Sequence, residues 1–153
     1  MNNPPQAGAV RLTFEHEADT VRLTRARPVD MKPVPSDALE GYAGHSGFWL
    51  EVRDASGKTI YRRVLPNPTP TYHEVHNPNG RSTHVPVQNR RGAFEVVIPA
   101  PPAGAVVAIF ATPQPPAAPV RDFATEKARA ASPRIGTAPA QEIARFSLEG
   151  AAQ

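Results

Sequence analysis

Phe48-Trp49-Leu50-Glu51-Val52-Arg53, then Asp54-Ala55-Ser56-Gly57-Lys58, then Thr59-Ile60-Tyr61-Arg62-Arg63-Val64-Leu65: this stretch decides the fold. Two runs rich in β-branched and aromatic residues flank a short polar break, which is the pattern of a hairpin. Gly57 at the end of a three-residue loop predicts a type I turn followed by a bulge, where Gly takes a positive φ. That turn sets Asp54 opposite Lys58. Continued without interruption, it predicts Val52 opposite Ile60 and Phe48 opposite Val64 on the inner face, with Leu50 against Arg62 as its misfit. Trp49 is expected opposite Arg63, and Glu51 opposite Tyr61, on the outer face. In this register the apolar residues fall together, as a half-buried hairpin requires.

The rest of the chain repeats the theme. Val10, Leu12 and Phe14 alternate with polar residues and point to a core, and Thr20 to Arg27 brings Val21 and Leu23 to the same side after a turn at Glu17-Ala18-Asp19. Pro28, Pro33 and Pro35 break the pattern, and Ser36 to Glu40 is expected to form one helical turn before a loop from Gly41 to Gly47. Pro66-Asn67-Pro68-Thr69-Pro70 reads as an extended crossover, since prolines so spaced do not fit a central strand. Tyr72 to His76 and Arg81 to Val87 flank Asn77-Pro78-Asn79-Gly80, read as a four-residue turn. Ala93 to Ile98 and Ala105 to Ala111 are two more strands. The second is apolar on both faces and is expected to be central. Seven to eight short strands separated by turns predict an all-β, antiparallel sandwich, immunoglobulin-like or fibronectin-III-like.

Composition divides the chain. It has 153 residues and 19 prolines. Of its Leu, Ile, Val and Phe residues, 25 of 31 lie between 10 and 112. The expected layout is a disordered lead over 1–8, the sandwich over 9–112, a Pro/Ala-rich arm over 113–142 with a short helix from Phe123 to Ala131, and a docking strand over 143–149. Residues 10–112 are expected to fold without the arm. The alternating Ile143 to Leu148 is expected to add to an edge of this sandwich or of a neighbouring molecule, with Ile143, Phe146 and Leu148 as contact residues.

Charge and cysteine content exclude several functions. With no Cys, there are no disulfides, no Cys-ligated zinc, no iron–sulfur cluster and no thiol catalysis. A net charge of +3 over a whole domain is ordinary solubility. Arg62-Arg63, Arg81 and Arg90-Arg91 sit in no nucleic-acid motif, and a solvated sheet face explains them, so no nucleic-acid partner is expected. No apolar run is long enough to span a bilayer, and the first residues lack the basic and apolar regions of a signal peptide, so no membrane association is expected and the cytoplasm is the expected compartment.

Three places invite a functional reading. His73 and His84 are expected to face each other across the second hairpin, about 5 Å apart at Cβ. Such a pair can contribute to a zinc site, although Glu74 and His76 would fall on the opposite face. The alternative is a polar hairpin with incidental histidines. Trp49 and Tyr61, with Arg63, offer a flat aromatic face for a partner chain or a carbohydrate, unless the arm covers it. Ser46 beside His45 lacks the Gly-x-Ser-x-Gly spacing of a nucleophile elbow. No catalytic constellation and no cofactor motif is found, so the chain is expected to be non-enzymatic.

The segment Val52 to Arg62 resembles a hairpin of the N-terminal β-sandwich domain that precedes the zinc catalytic domain in IgA-peptidase-type metallopeptidases. Val97-Ile98-Pro99 resembles the strand end of the same domain. The chain carries no match to the catalytic domain or its zinc-binding helix. The resemblance implies a non-catalytic accessory or recognition module within a larger assembly and transfers no site residues.

Overall fold

A computed structural model describes residues 8–114 and 138–149. The described residues form nine antiparallel strands and no helix. They are β1 (Ala9–Glu17), β2 (Thr20–Val29), β3 (Phe48–Arg53), β4 (Thr59–Leu65), β5 (Tyr72–His76), β6 (Ser82–Pro86), β7 (Arg91–Pro99), β8 (Val106–Ala111) and β9 (Gln141–Ser147). One sheet has the order β2-β1-β7, a second β4-β3-β8-β9, and β5-β6 is a separate two-stranded ribbon.

Period-two alternation builds the core. Val10, Leu12 and Phe14 of β1 are buried, as the pattern predicts, with Val96 and Ile98 of β7 beside them. The second sheet brings Phe48, Leu50, Val52, Val107 and Ile109 to the same cluster. The Phe48 ring meets Phe94 edge-on across the layers at 5.8 Å, and Phe14 lies 5.9 Å from Phe146. The two larger sheets therefore share one apolar core. Burying large aliphatic side chains on both inner faces is the main stabilising term of such an arrangement. β8 sits centrally between β3 and β9, as its two apolar faces predict.

The β3–β4 hairpin holds the main correction. Its turn forms as read: the Asp54 amide donates to the Lys58 carbonyl at 2.9 Å, and Gly57 has φ +85°. The ladder then slips by one residue. Arg53 pairs with Thr59, and Val52 pairs with Tyr61, so Ile60 is a bulge. Every later partner moves by one: Glu51 faces Arg62, Leu50 faces Arg63, Trp49 faces Val64 and Phe48 faces Leu65. The physical gain is that Tyr61 turns inward and is 4% exposed, whereas Ile60 and Val64, expected inside, are 37% and 39% exposed. A bulge adds one unpaired residue and reverses the facing of all that follows.

The second correction concerns Ser36 to Glu40. No helical turn forms there. The segment runs extended along β4 instead. The Ser36 hydroxyl accepts from the Arg62 amide at 3.0 Å, the Asp37 amide donates to the Arg62 carbonyl at 2.9 Å, and Asp37 Oδ2 accepts from the Val64 amide at 2.7 Å. An unpaired strand edge offers donors and acceptors that outcompete one turn of isolated helix.

β9 docks in cis. It pairs antiparallel with β8 and supplies buried Leu148 and half-buried Ala144 and Phe146 to the core. A bulge between Ile109 and Phe110 in this pairing leaves Ile143 outside, 38% exposed. The core therefore extends beyond residue 112, because the last strand furnishes inner-face side chains. The short helix expected over 123–131 lies outside the described residues.

Candidate functional site

The outer face of the four-stranded sheet is where the aromatic contact surface was expected. Trp49 does point away from the core, but it is only 4% exposed. It stacks on Phe110 at 5.5 Å with the rings 9° apart, and Tyr42 closes over it edge-on at 5.2 Å. Among the described residues the cover is the segment 34–45. Tyr42 also lies over the Arg62 guanidinium at 4.0 Å, and the Ala38 carbonyl accepts from Arg62. Tyr61 is on the other side of the sheet, where its hydroxyl donates to the Val34 carbonyl at 2.9 Å. Burial pushes the Tyr61 phenol above its ordinary value. Trp49 and Tyr61 therefore offer no common flat surface, and the expected Trp49–Arg63 pair does not form. Arg63 is half-buried and reaches Asp37 at 3.7 Å.

Beneath this cover sits a saturated carboxylate that sequence reading did not single out. Glu51 Oε1 accepts from Trp49 Nε1 at 3.2 Å and from Arg62 Nε at 3.1 Å and Nη2 at 2.5 Å. Oε2 accepts from Arg53 Nε at 3.1 Å and Nη2 at 2.9 Å, and from Thr59 Oγ1 at 3.1 Å. Burial raises the Glu51 pKa, but the bonds from Arg62 and Arg53 outweigh it and hold the carboxyl below its ordinary value. An ionised carboxylate whose lone pairs are all engaged holds structure and leaves no acceptor free for a substrate proton. The register slip created this pair, by placing Arg62 where Tyr61 was expected.

The β5–β6 ribbon separates the two candidate metal ligands. The Asn77 amide donates to the Arg81 carbonyl at 2.8 Å, which makes the loop three residues long, not four. His73 then faces Val85, and His84 faces Glu74. Adjacent residues of a strand point to opposite faces, so the two imidazoles lie on opposite sides of the ribbon. His84 packs edge-on against Tyr72 at 5.0 Å, and His76 Nδ1 shares a 2.8 Å hydrogen bond with Ser82 Oγ. No three His, Asp or Glu side chains among the described residues are grouped to hold a metal ion.

At the end of the core near the β1–β2 turn there is a groove of about 550 Å³, lined in part by Asp19, Phe48, Leu65, Thr71, Tyr72 and Ile143. Arg90 ties two of the lining residues together, with Nη2 donating to Asp19 at 2.8 Å and to the Thr69 carbonyl at 3.0 Å. Thr71 Oγ1, Arg90 Nε and the Nδ1 of buried His16 have no protein partner among the described residues.

The sheet edges differ in how they are capped. β4 is capped by Ser36 and Asp37. Among the described residues, β2, β7 and β9 each pair with one neighbouring strand only. The outer side of β2 carries Arg22, Arg25 and Arg27, opposite Glu15, Thr13 and Arg11 of β1. All three are exposed. Sequence reading passed over them: strict alternation from Val21 and Leu23 turns Arg25 and Arg27 inward, and the extra residue Thr24 is what brings them to the side of Arg22.

No helix among the described residues is long and apolar enough to cross a membrane. Comparison of the chain with protein-family models, curated proteins and solved structures finds no match.

Proposed function

We propose that this chain is a non-enzymatic interaction or accessory module, an immunoglobulin-like or fibronectin-III-like β-sandwich that works within a larger assembly. The accessory role implied by the resemblance of Val52 to Arg62 to the N-terminal domain of IgA-peptidase-type metallopeptidases agrees with this reading. The observation that carries it is the contrast between a capped β4 edge and edges on β2, β7 and β9 that have no second strand among the described residues. Open edges present unpaired backbone groups that a partner's extended segment can pair with. The most elaborate polar cluster, around Glu51, is spent on internal bonds. Burial of Trp49 and Tyr61, and a ribbon register that sets His73 and His84 on opposite faces, support this reading over the carbohydrate and metal alternatives.

The test is site-specific photo-crosslinking in the source cell. A photoreactive residue is placed at Thr24 on β2, at Glu95 on β7 and at Arg145 on β9, with Ser56 in the β3–β4 turn as control. A discrete adduct from at least one edge position and none from Ser56 is expected. Absence of adducts from all three edges, or steady turnover of a substrate by the purified chain, would overturn the reading.

A further inference from the structure

Seven arginines among the described residues are within ion-pairing distance of a carboxylate: Arg11, Arg53, Arg62, Arg63, Arg90, Arg91 and Arg145. Arg22, Arg25 and Arg27 form no such pair among these residues. They also stand in a row. Arg22 is opposite Glu15, Arg25 opposite Thr13 and Arg27 opposite Arg11, and the extra residue Thr24 is absorbed by a bulge between Thr13 and Phe14. The three therefore behave as successive outward positions of one strand despite their uneven spacing. Their strand is an edge whose only pairing among the described residues is with β1.

The inward side of the same flank has its own chemistry. β2 lies beside β9 across the gap between the layers. Leu23 and Ala26 of β2 and Phe146 of β9 pack on the core and stay partly exposed. A strand laid along β2 would set alternate side chains outward beside the arginines and inward over these apolar groups.

We propose that the free edge of β2 binds an extended segment of a partner protein in which acidic residues alternate with apolar ones. This rests on the reading of the chain as an interaction module and names the edge and the chemistry of its partner. Backbone pairing supplies the shared part of the affinity, and the alternating side chains supply selectivity. Carboxylates match the guanidinium geometry of Arg22, Arg25 and Arg27. The placement favours a peptide over a nucleic acid. Only a polypeptide uses the unpaired strand edge, and a polyanion lying flat on the sheet would meet Glu15 and Glu95 on the same face.

The probe is a short capped peptide of alternating valine and glutamate, labelled for fluorescence anisotropy and titrated with the full chain at low salt. Saturable binding is expected, with slowed amide exchange over residues 20–27. The triple variant Arg22→Ser/Arg25→Ser/Arg27→Ser keeps its fold, because all three side chains are exposed, and its binding weakens about tenfold. N-methylation of alternate peptide nitrogens keeps the charge and abolishes binding if strand pairing operates. Equal binding by the triple variant, full binding by the methylated peptide, no binding by the wild type, or tighter binding of a single-stranded oligonucleotide would each overturn the proposal. The two readings fail separately. Wild-type crosslinks from β7 or β9 without peptide binding at β2 leave an interaction module and remove β2 as its site, whereas absence of every edge crosslink in the wild type removes the module itself.

Discussion

The β3–β4 and β5–β6 hairpins close on the same turn and end in different surroundings. In each, the residue before a three-residue loop donates its amide to the residue after it, at 2.9 Å from Asp54 to Lys58 and 2.8 Å from Asn77 to Arg81. Each loop ends in a Gly at positive φ, +85° for Gly57 and +78° for Gly80. Beyond the turn they diverge. β3 is buried along nearly its whole length, whereas β5 and β6 are exposed along most of theirs. In the ribbon the turn and the contacts between its own two strands set the register. In β3–β4 the core and the cover of segment 34–45 revise the register through the bulge at Ile60. Turn chemistry is thus local and portable, and the facing of a strand's side chains is settled by what lies above and below it.

Matched substitutions break or sharpen this contrast. The largest effect is expected at Glu51. Removing a carboxylate that neutralises two partly or wholly buried guanidinium groups leaves Arg62 and Arg53 uncompensated, so Glu51→Ala should cost about 3–5 kcal/mol. Glu74→Ala, at an exposed place in β5, should cost within about 0.5 kcal/mol. Urea unfolding of both variants measures the difference. Similar losses would mean that the ribbon is integral to the folded unit.

Next comes Trp49→Ala, expected to cost about 3 kcal/mol through loss of the stack on Phe110 and the contact with Tyr42. Val75→Ala, exposed on the ribbon, should register little. A small loss at Trp49 would show that segment 34–45 covers the outer face only loosely.

The acid limb of stability gives a smaller effect with a definite sign. Glu51 has a folded-state pKa below its ordinary value of 4.5. Its contribution is therefore complete above that value and fades as pH falls through the folded pKa. Unfolding free energy measured from neutral pH downward should fall more steeply below about 4.5 in the wild type than in Glu51→Gln. Parallel curves would assign acid lability to other carboxylates, such as Glu142, which Arg145 holds below the ordinary range.

Much of the fold was legible because two signals are local. Alternation placed Val10, Leu12, Phe14 and Val21 inside, and the double-faced apolar run marked β8 as central. Gly57 announced its turn. What was not legible depends on distant partners. The bulge at Ile60 pays off only once Tyr61 meets the core and Arg62 meets Glu51, both set by tertiary packing. Ser36 and Asp37 carry the composition of a helix start, but the edge of β4 engages the same groups. Trp49 was assigned to the outer face of its sheet, and its stack on Phe110 together with the return of Tyr42 across that face buries it. The candidate site was less legible than the fold. The arginines of β2 are plain in the sequence, yet their common facing rests on the bulge at Thr24.

The smallest effects come from the two glycines, and they test the comparison most finely. Gly57→Ala and Gly80→Ala each force a side chain into the left-handed region, at a local cost of about 1 kcal/mol. Nothing stands within 4 Å of the added Cβ at either position, so the cost is conformational and not steric with neighbours. The destination of that cost should differ. The β3–β4 turn joins two strands of the core, so Gly57→Ala should lower global stability and speed exchange only through global unfolding. The β5–β6 ribbon belongs to neither large sheet. It should open as its own unit, with its amides exchanging through local unfolding. Gly80→Ala should then raise exchange rates at residues 72–86 about fivefold while leaving the melting temperature of the core unchanged. Hydrogen exchange and calorimetry on the two variants separate the cases. A fall in melting temperature for Gly80→Ala equal to that for Gly57→Ala would join the ribbon to the core and remove the distinction between the hairpins.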